Sequence, residues 1–202
     1  MILAVDEWLE MHQSLIKTHP EAQVLTVNEA ELKLVSGLQT PNKVLLVVEN
    51  AAFPDPAAIR DWCIALDGIR DPGNMGTILR IADWFGIPHV VCSPDCTDPY
   101  SPKVVQAAMG AQLRVRIYEA HLPDFIRNSA LPSIAAILGG EDIYAFQPVE
   151  KGILIIGNEA KGISEELVRL AAHSVTIPRR GGAESLNAGV SAGILCALLL
   201  GR

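Results

Sequence analysis

The last helix of this 202-residue chain has no polar face. In the closing segment "NAGVSAGILCALLL", only Ser191 and the weakly polar Cys196 interrupt an otherwise apolar run from Ala188 to Leu200. A surface helix carries one apolar stripe and a polar back. A bilayer span takes about 20 apolar residues, and this run is shorter. Both of its sides therefore need protein to cover them. With 50% hydrophobic and 19% charged residues, the chain has enough apolar material for one full core and a small additional unit.

The first 17 residues lack the basic start, apolar run and small-residue cleavage site of a secretory signal, so a cytoplasmic location is expected. Cys63, Cys92, Cys96 and Cys196 sit mostly in apolar runs, which suits reduced thiols better than a disulfide framework. The net charge of -7 excludes a global positive field for nucleic acid. The bases are nonetheless concentrated: Arg70, Arg80, Lys161, Arg179 and Arg180 lie in or beside glycine-rich loops, and they allow a local basic site on an acidic body.

From residue 60 onward, apolar runs alternate with helical segments. "WCIAL", "HVVC", "LRVRI", "SIAAIL", "GILIIG" and "SVTIP" read as strands, and most are continuous enough for a sheet covered on both faces. Residues 74–85, 101–109, 122–128 and 164–172 read as helices. The pattern predicts an α/β fold on a mostly parallel sheet with helices on both faces. Residues 1–49 read as a partial small α/β domain (helix 6–17, strand 23–27, helix 28–35, strand 43–49), residues 50–60 as a linker and 61–202 as the main domain.

Three loops carry the polar chemistry. In "DGIRDPGNMGTILRIADWFGIP", Asn74 is placed to cap a helix whose stripe of Met75, Ile78, Leu79, Ala82 and Phe85 turns Arg80 outward. Taken alone, Arg80 reads as a surface residue paired with Asp83. "LIIGNEAKGIS" runs from a strand through Gly157 and Glu159 into a helix; its Lys161 precedes Gly162, which is the wrong order for a nucleoside-triphosphate loop. "SVTIPRRGGAESLNAGV" offers Ser185 or Asn187 as the cap of the last helix. "ILGGED" is a fourth strand exit with paired glycines. Such turns on one parallel sheet point to a ligand crevice at its carboxyl edge.

Taken together, "DPGNMGTILRIADWFG", "IIGNEAKGIS" and "IPRRGGAESLNAGVSAGIL" resemble, in order, the three motifs of the SpoU/TrmH family of SPOUT RNA ribose methyltransferases, over about residues 60–202. The N-terminal piece is similar to the later half of a small RNA-binding domain that often precedes it. The resemblance implies a deep C-terminal trefoil knot, a homodimer that covers the last helix, S-adenosylmethionine as methyl donor, and methylation of a ribose 2′-hydroxyl of rRNA or tRNA. It assigns donor binding to Leu138, Gly139, Gly157, Asn158, Ile177, Pro178 and Leu186. The reaction falls to Asn74, Arg80, Glu159, Ser185 and Asn187, with Arg80 as proton acceptor or, since a guanidinium is a poor base, as phosphate or alkoxide stabiliser. No metal is required. Arg179 and Arg180 depart from the family pattern, as does "NAGVSAG". Two other readings are an inactive RNA-binding module of the same fold and metal binding by His89, Cys92 and Cys96.

Overall fold

The computed structural model describes residues 1–49, 55–147 and 149–201. The chain forms two compact units, Met1–Ala52 and Phe53–Arg202. The first contains β1 (Ile2–Ala4), α1 (Asp6–Met11), α2 (Gln13–Lys17), β2 (Val24–Thr26), α3 (Glu29–Val35) and β3 (Val44–Leu46). Its sheet has the order β2-β1-β3, with β1 parallel to β2 and antiparallel to β3. The central strand β1 is new relative to the sequence reading, because three residues show no periodicity. The helix expected over 6–17 breaks at His12 (φ −116°, ψ 21°), whose ring stacks on Trp8 at 4.2 Å. Asn28 and Glu31 form a reciprocal capping box at α3, with bonds of 3.0 and 2.8 Å. Ala4 and Leu32 are the fully buried residues among those described in this unit. Of the expected linker, residues 50–54 lie outside the described residues, and a short 3₁₀ turn occupies Pro56–Ala58.

The second unit runs β4 (Cys63–Asp67), α4 (Pro72–Trp84), β5 (His89–Cys92), α5 (Pro102–Ala108), β6 (Arg116–Glu119), α6 (Leu122–Asn128), β7 (Ser133–Asp142), β8 (Ile153–Gly157), α7 (Glu165–Leu170), β9 (His173–Thr176) and α8 (Ala188–Leu200). All pairings in its six-stranded sheet, β6-β5-β4-β8-β7-β9, are parallel. Alternate residues of the central strands enter different cores. Ile64, Leu66, Leu154 and Ile156 pack with α4, α5 and α8 through Ile78, Leu79, Val104 and Leu195. Cys63, Ala65, Ile153 and Ile155 pack with α6 and α7 through Phe125, Ile126 and Leu167. Burial on both faces explains why these strands read as unbroken apolar runs.

Two strand expectations shift. "LRVRI" is displaced: α5 ends in left-handed Met109 (φ 52°) and Gly110 (φ 81°), a 3₁₀ turn takes Ala111–Leu113, and β6 begins at Arg116. "ILGGED" is no strand exit. β7 continues through it to Asp142, with the register against β9 jumping between Ala136 and Glu141. A bulge inserts residues without ending a strand. Gly139 supplies φ 86°, and a Cβ on Gly140 would lie 2.7 Å from the main chain of Ser174 and Val175.

Within one chain α8 is covered on one side. Ala188, Ala192, Leu195, Cys196 and Leu199 are buried, whereas Val190 is 50% exposed and Ala197 is also exposed. Helix α4 crosses α5 through a glycine: a Cβ on Gly76 would sit 2.4 Å from Ala107 Cβ and 2.9 Å from the Ala108 nitrogen. Gly76→Ala is expected to cost about 1–3 kcal/mol through overpacking, read as a lower urea midpoint with an unchanged m-value.

Candidate active site

Chain order along the sheet reverses between β4 and β8, so their carboxyl ends, Asp67 beside Gly157, open a crevice of the kind in which parallel α/β sheets bind ligands. Three loops fill it. In the first, Pro72 at the first helical turn holds Asp71 extended (ψ 121°), and Asp71 caps α4 by accepting from the Asn74 nitrogen at 2.8 Å. This corrects the expectation that Asn74 is the cap. Asn74 lies inside the helix, 7% exposed, with its carboxamide free for longer-range bonds. It donates to Glu159 Oε1 at 2.8 Å and accepts from Asn187 Nδ2 at 2.7 Å.

The second loop folds back on Gly157, where a Cβ would lie 2.3 Å from Gly162 C and Ile163 N. Asn158 pairs main chain to main chain with Gly162 in both directions, at 3.0 and 2.9 Å. Its side chain accepts from the nitrogens of Ala160 and Lys161 and donates to the Gly68 carbonyl at 2.6 Å. In the third loop it is Asn187, rather than Ser185, that caps α8, accepting from Val190 N at 3.2 Å. One polar residue from each of the three sequence motifs thus meets at one buried carboxamide.

A cavity of about 720 Å³ opens behind this bridge. Leu138, Gly157, Asn158, Ile177, Pro178 and Leu186 line it, as do Glu159 and Ser185; Gly139 and Asn74 do not. Leu138 and Leu186 expose 71% and 49% of their surface and give the cavity apolar walls that a ligand could cover. Neither Ile177 nor Leu186 gives its main-chain N–H to another described main-chain group. Apolar walls with uncommitted backbone donors suit a flat heteroaromatic ring carrying polar edges.

Arg80 is exposed on α4 and makes no ion pair with the described residues. Asp83, its expected partner, is taken by Arg114 in a bidentate pair at 2.8–2.9 Å, which holds the Asp83 carboxyl below its usual range. Arg80 lines neither this cavity nor the one at the end of β4, standing about 9 Å along the helix from Asn74. Sequence reasoning missed Asp67 and Gly68, which line the crevice at the end of β4; their signal was only their place after an apolar run.

The metal reading finds no support in the geometry. His89 and Cys92 occupy opposite ends of β5, about 10 Å apart, and His89 Nδ1 lies 3.1 Å from Tyr118 Oη. Among the described residues no group of three or more His, Cys, Asp or Glu is arranged to hold a metal.

The SpoU rRNA methylase family model matches residues 61–197, more than half of the chain. This chain belongs to that family. It is 27% identical over 177 residues to a 23S rRNA guanosine 2′-O-methyltransferase of Bacillus subtilis strain 168, covering 86% of this chain and 71% of that protein. A TrmH-family structure from Porphyromonas gingivalis superposes with a TM-score of 0.89 at 36% identity, over 98% of this chain and 81% of that one. An AdoMet-bound rRNA methyltransferase from Sinorhizobium meliloti does so with 0.87 at 29% identity, over 98% and 78%. Two further curated relatives, from Synechocystis and Danio rerio, are spanned over only 64% and 53% of their lengths. No helix among the described residues is long and apolar enough to cross a membrane.

Two outcomes are expected. Asn74→Ala leaves Glu159 Oε1 and Asn187 Nδ2 without the bonds they make to it and costs about 1–3 kcal/mol, measurable by urea unfolding. Separately, a hydrogen bond from Cys92 and further bonds from Ser93 and the backbone hold the Cys96 thiol down at about 7, while burial raises Cys63 and Cys196. Because a lowered thiol pKa populates the reactive thiolate at lower pH, iodoacetamide should label Cys96 first, with a rate that rises through neutral pH and levels off above it. Peptide mass mapping checks this.

Proposed function

We propose that this protein is an S-adenosylmethionine-dependent RNA methyltransferase that modifies a ribose 2′-hydroxyl of rRNA or tRNA. The observation that carries the reading is the bridge Glu159–Asn74–Asn187 beside the 720 Å³ cavity. Bound there, S-adenosylmethionine would supply an electrophilic methyl group on a positively charged sulfur. Leu138, Ile177 and Leu186 would pack against its adenine, and the main-chain N–H groups of Ile177 and Leu186 would meet its polar edge. Glycine at 157 lets the second loop fold close enough to close that side.

The chain's own work is alignment and charge. Glu159 keeps one carboxylate oxygen on Asn74 and offers the other to the ribose hydroxyl, whose proton it would accept. Ser185 and Asn187 fix the third loop over the cavity. Arg80, permanently charged, stabilises the developing alkoxide or the adjoining phosphate rather than removing the proton.

The same reading includes a two-fold dimer. It is supported by the open face of α8 at Val190 and Ala197 and by its continuation onto α4, where Gly193 lies beside Ile81. Burial of that face would answer the sequence demand for cover on both sides of α8, and it would bring the outward Arg80 against the partner chain. The C-terminal knot and a cytoplasmic setting belong to this reading as well. The knot follows from the family to which residues 61–197 belong. Residues 1–49 would serve as an RNA-binding domain joined to the methyltransferase domain by the 50–60 linker.

Methyl transfer is tested by incubating the protein with labelled S-adenosylmethionine and total RNA from cells lacking ribose methylation. Label should appear in RNA as 2′-O-methylnucleosides after digestion. Arg80→Ala should lower transfer by about 10²-fold or more, the scale of losing one charge-stabilising contact, with donor binding kept in calorimetry. Donor binding without any transfer by the parent protein would favour the inactive RNA-binding module.

A further inference from the structure

A second cavity, of about 450 Å³, lies across the Asn158–Gly162 loop from the first, within the size range of small-ligand sites. It occupies the reversal point of the sheet itself: Asp67 and Gly68 at the end of β4 line it together with Arg70, Asp95 and Lys161, and Lys161 lines the first cavity as well. Its acids are committed. Asp67 Oδ2 accepts from the Ser164 nitrogen at 2.7 Å, Asp95 Oδ1 from Ser93 Oγ at 2.6 Å, and Glu159 Oε1 from Asn74 at 2.8 Å. Its cations are held more loosely. Lys161 makes no ion pair with the described residues, and Arg70 reaches Asp95 only at 3.8 Å with 68% of its side chain exposed. Because Asp95 holds Ser93 independently, Arg70 can leave it at little cost.

Resting on the function proposed above, we propose that this second cavity seats a phosphodiester group of the RNA strand that carries the target ribose, with Lys161 and Arg70 as its cationic contacts. An anion is the ligand class that a lysine without an ion pair among the described residues and a loosely held arginine recruit, once Arg70 turns from Asp95 to join Lys161. A phosphate there lies one loop's thickness from the donor cavity, since Asn158–Gly162 lines both. Phosphate contacts of this kind fix the register and orientation of a strand without reading its sequence. An acidic chain of net charge -7 has no general field to do so and needs such a local clamp.

The test compares the full-length parent with Arg70→Gln, Lys161→Gln, the double variant, and Lys103→Gln as a control at an exposed lysine on α5. Anisotropy of a fluorescein-labelled oligouridylate is titrated across a KCl series, S-adenosylmethionine binding is measured by calorimetry, and melting temperatures check folding. For single strands each phosphate contact contributes about 0.7 to the slope of log K against log salt. Each single variant should therefore flatten the slope by about 0.7 and the double variant by about 1.4, with donor affinity kept and Lys103→Gln matching the parent. In methyl transfer the loss should fall on KM for RNA. Unchanged slopes in both single variants overturn the proposal, as does a parent without salt dependence. It is likewise overturned if the loss at Lys161 appears only in S-adenosylmethionine affinity, since the lysine then holds the donor's carboxylate. A parent that methylates RNA while the variants behave identically sinks this inference alone; a parent that never binds the donor sinks the function proposed above.

Discussion

One buried carboxamide organises the site. Asn74 presents a donor to a carboxylate and an acceptor to another amide at the same time, a combination that neither an aspartate nor a hydroxyl of similar length supplies with the same reach. Its low exposure strengthens both bonds by excluding water. The side chain is available for this because the aspartate three residues earlier takes over the helix cap. A local capping preference thus sets a contact that spans 113 residues of sequence.

The sheet supplies what the loops cannot. Five parallel pairings fix the strand ends relative to one another, and the interleaved cores on its two faces leave β4 and β8 little freedom to shift. Functional groups are carried on the turns beyond those ends. The smaller unit is built differently, with a three-stranded sheet and few buried residues, and the two units are best understood as separate pieces of architecture.

The fold of the larger unit was legible in the sequence because a doubly covered sheet writes itself as continuous apolar runs, and five of the six strands fall within or beside the segments read as strands. The failures have physical causes. β6 was displaced because Met109 adopts a left-handed conformation that no propensity favours, and the glycines at 139–140 were read as an exit because a bulge and a turn use the same residue. The stripe along α4 was legible, and with it the outward direction of Arg80. That Arg114, rather than Arg80, would claim Asp83 was not, since the pair joins residues 31 apart. The meeting of Asn74, Glu159 and Asn187 was approachable only through resemblance of the three motifs to a known family, because hydrogen bonds between distant loops leave no local periodicity.

The loop from Asn158 to Gly162 is a partition one polypeptide strand thick, and its two-way main-chain pairing makes it a closed staple rather than a free flap. Any substitution within it therefore reshapes the wall of both cavities at once.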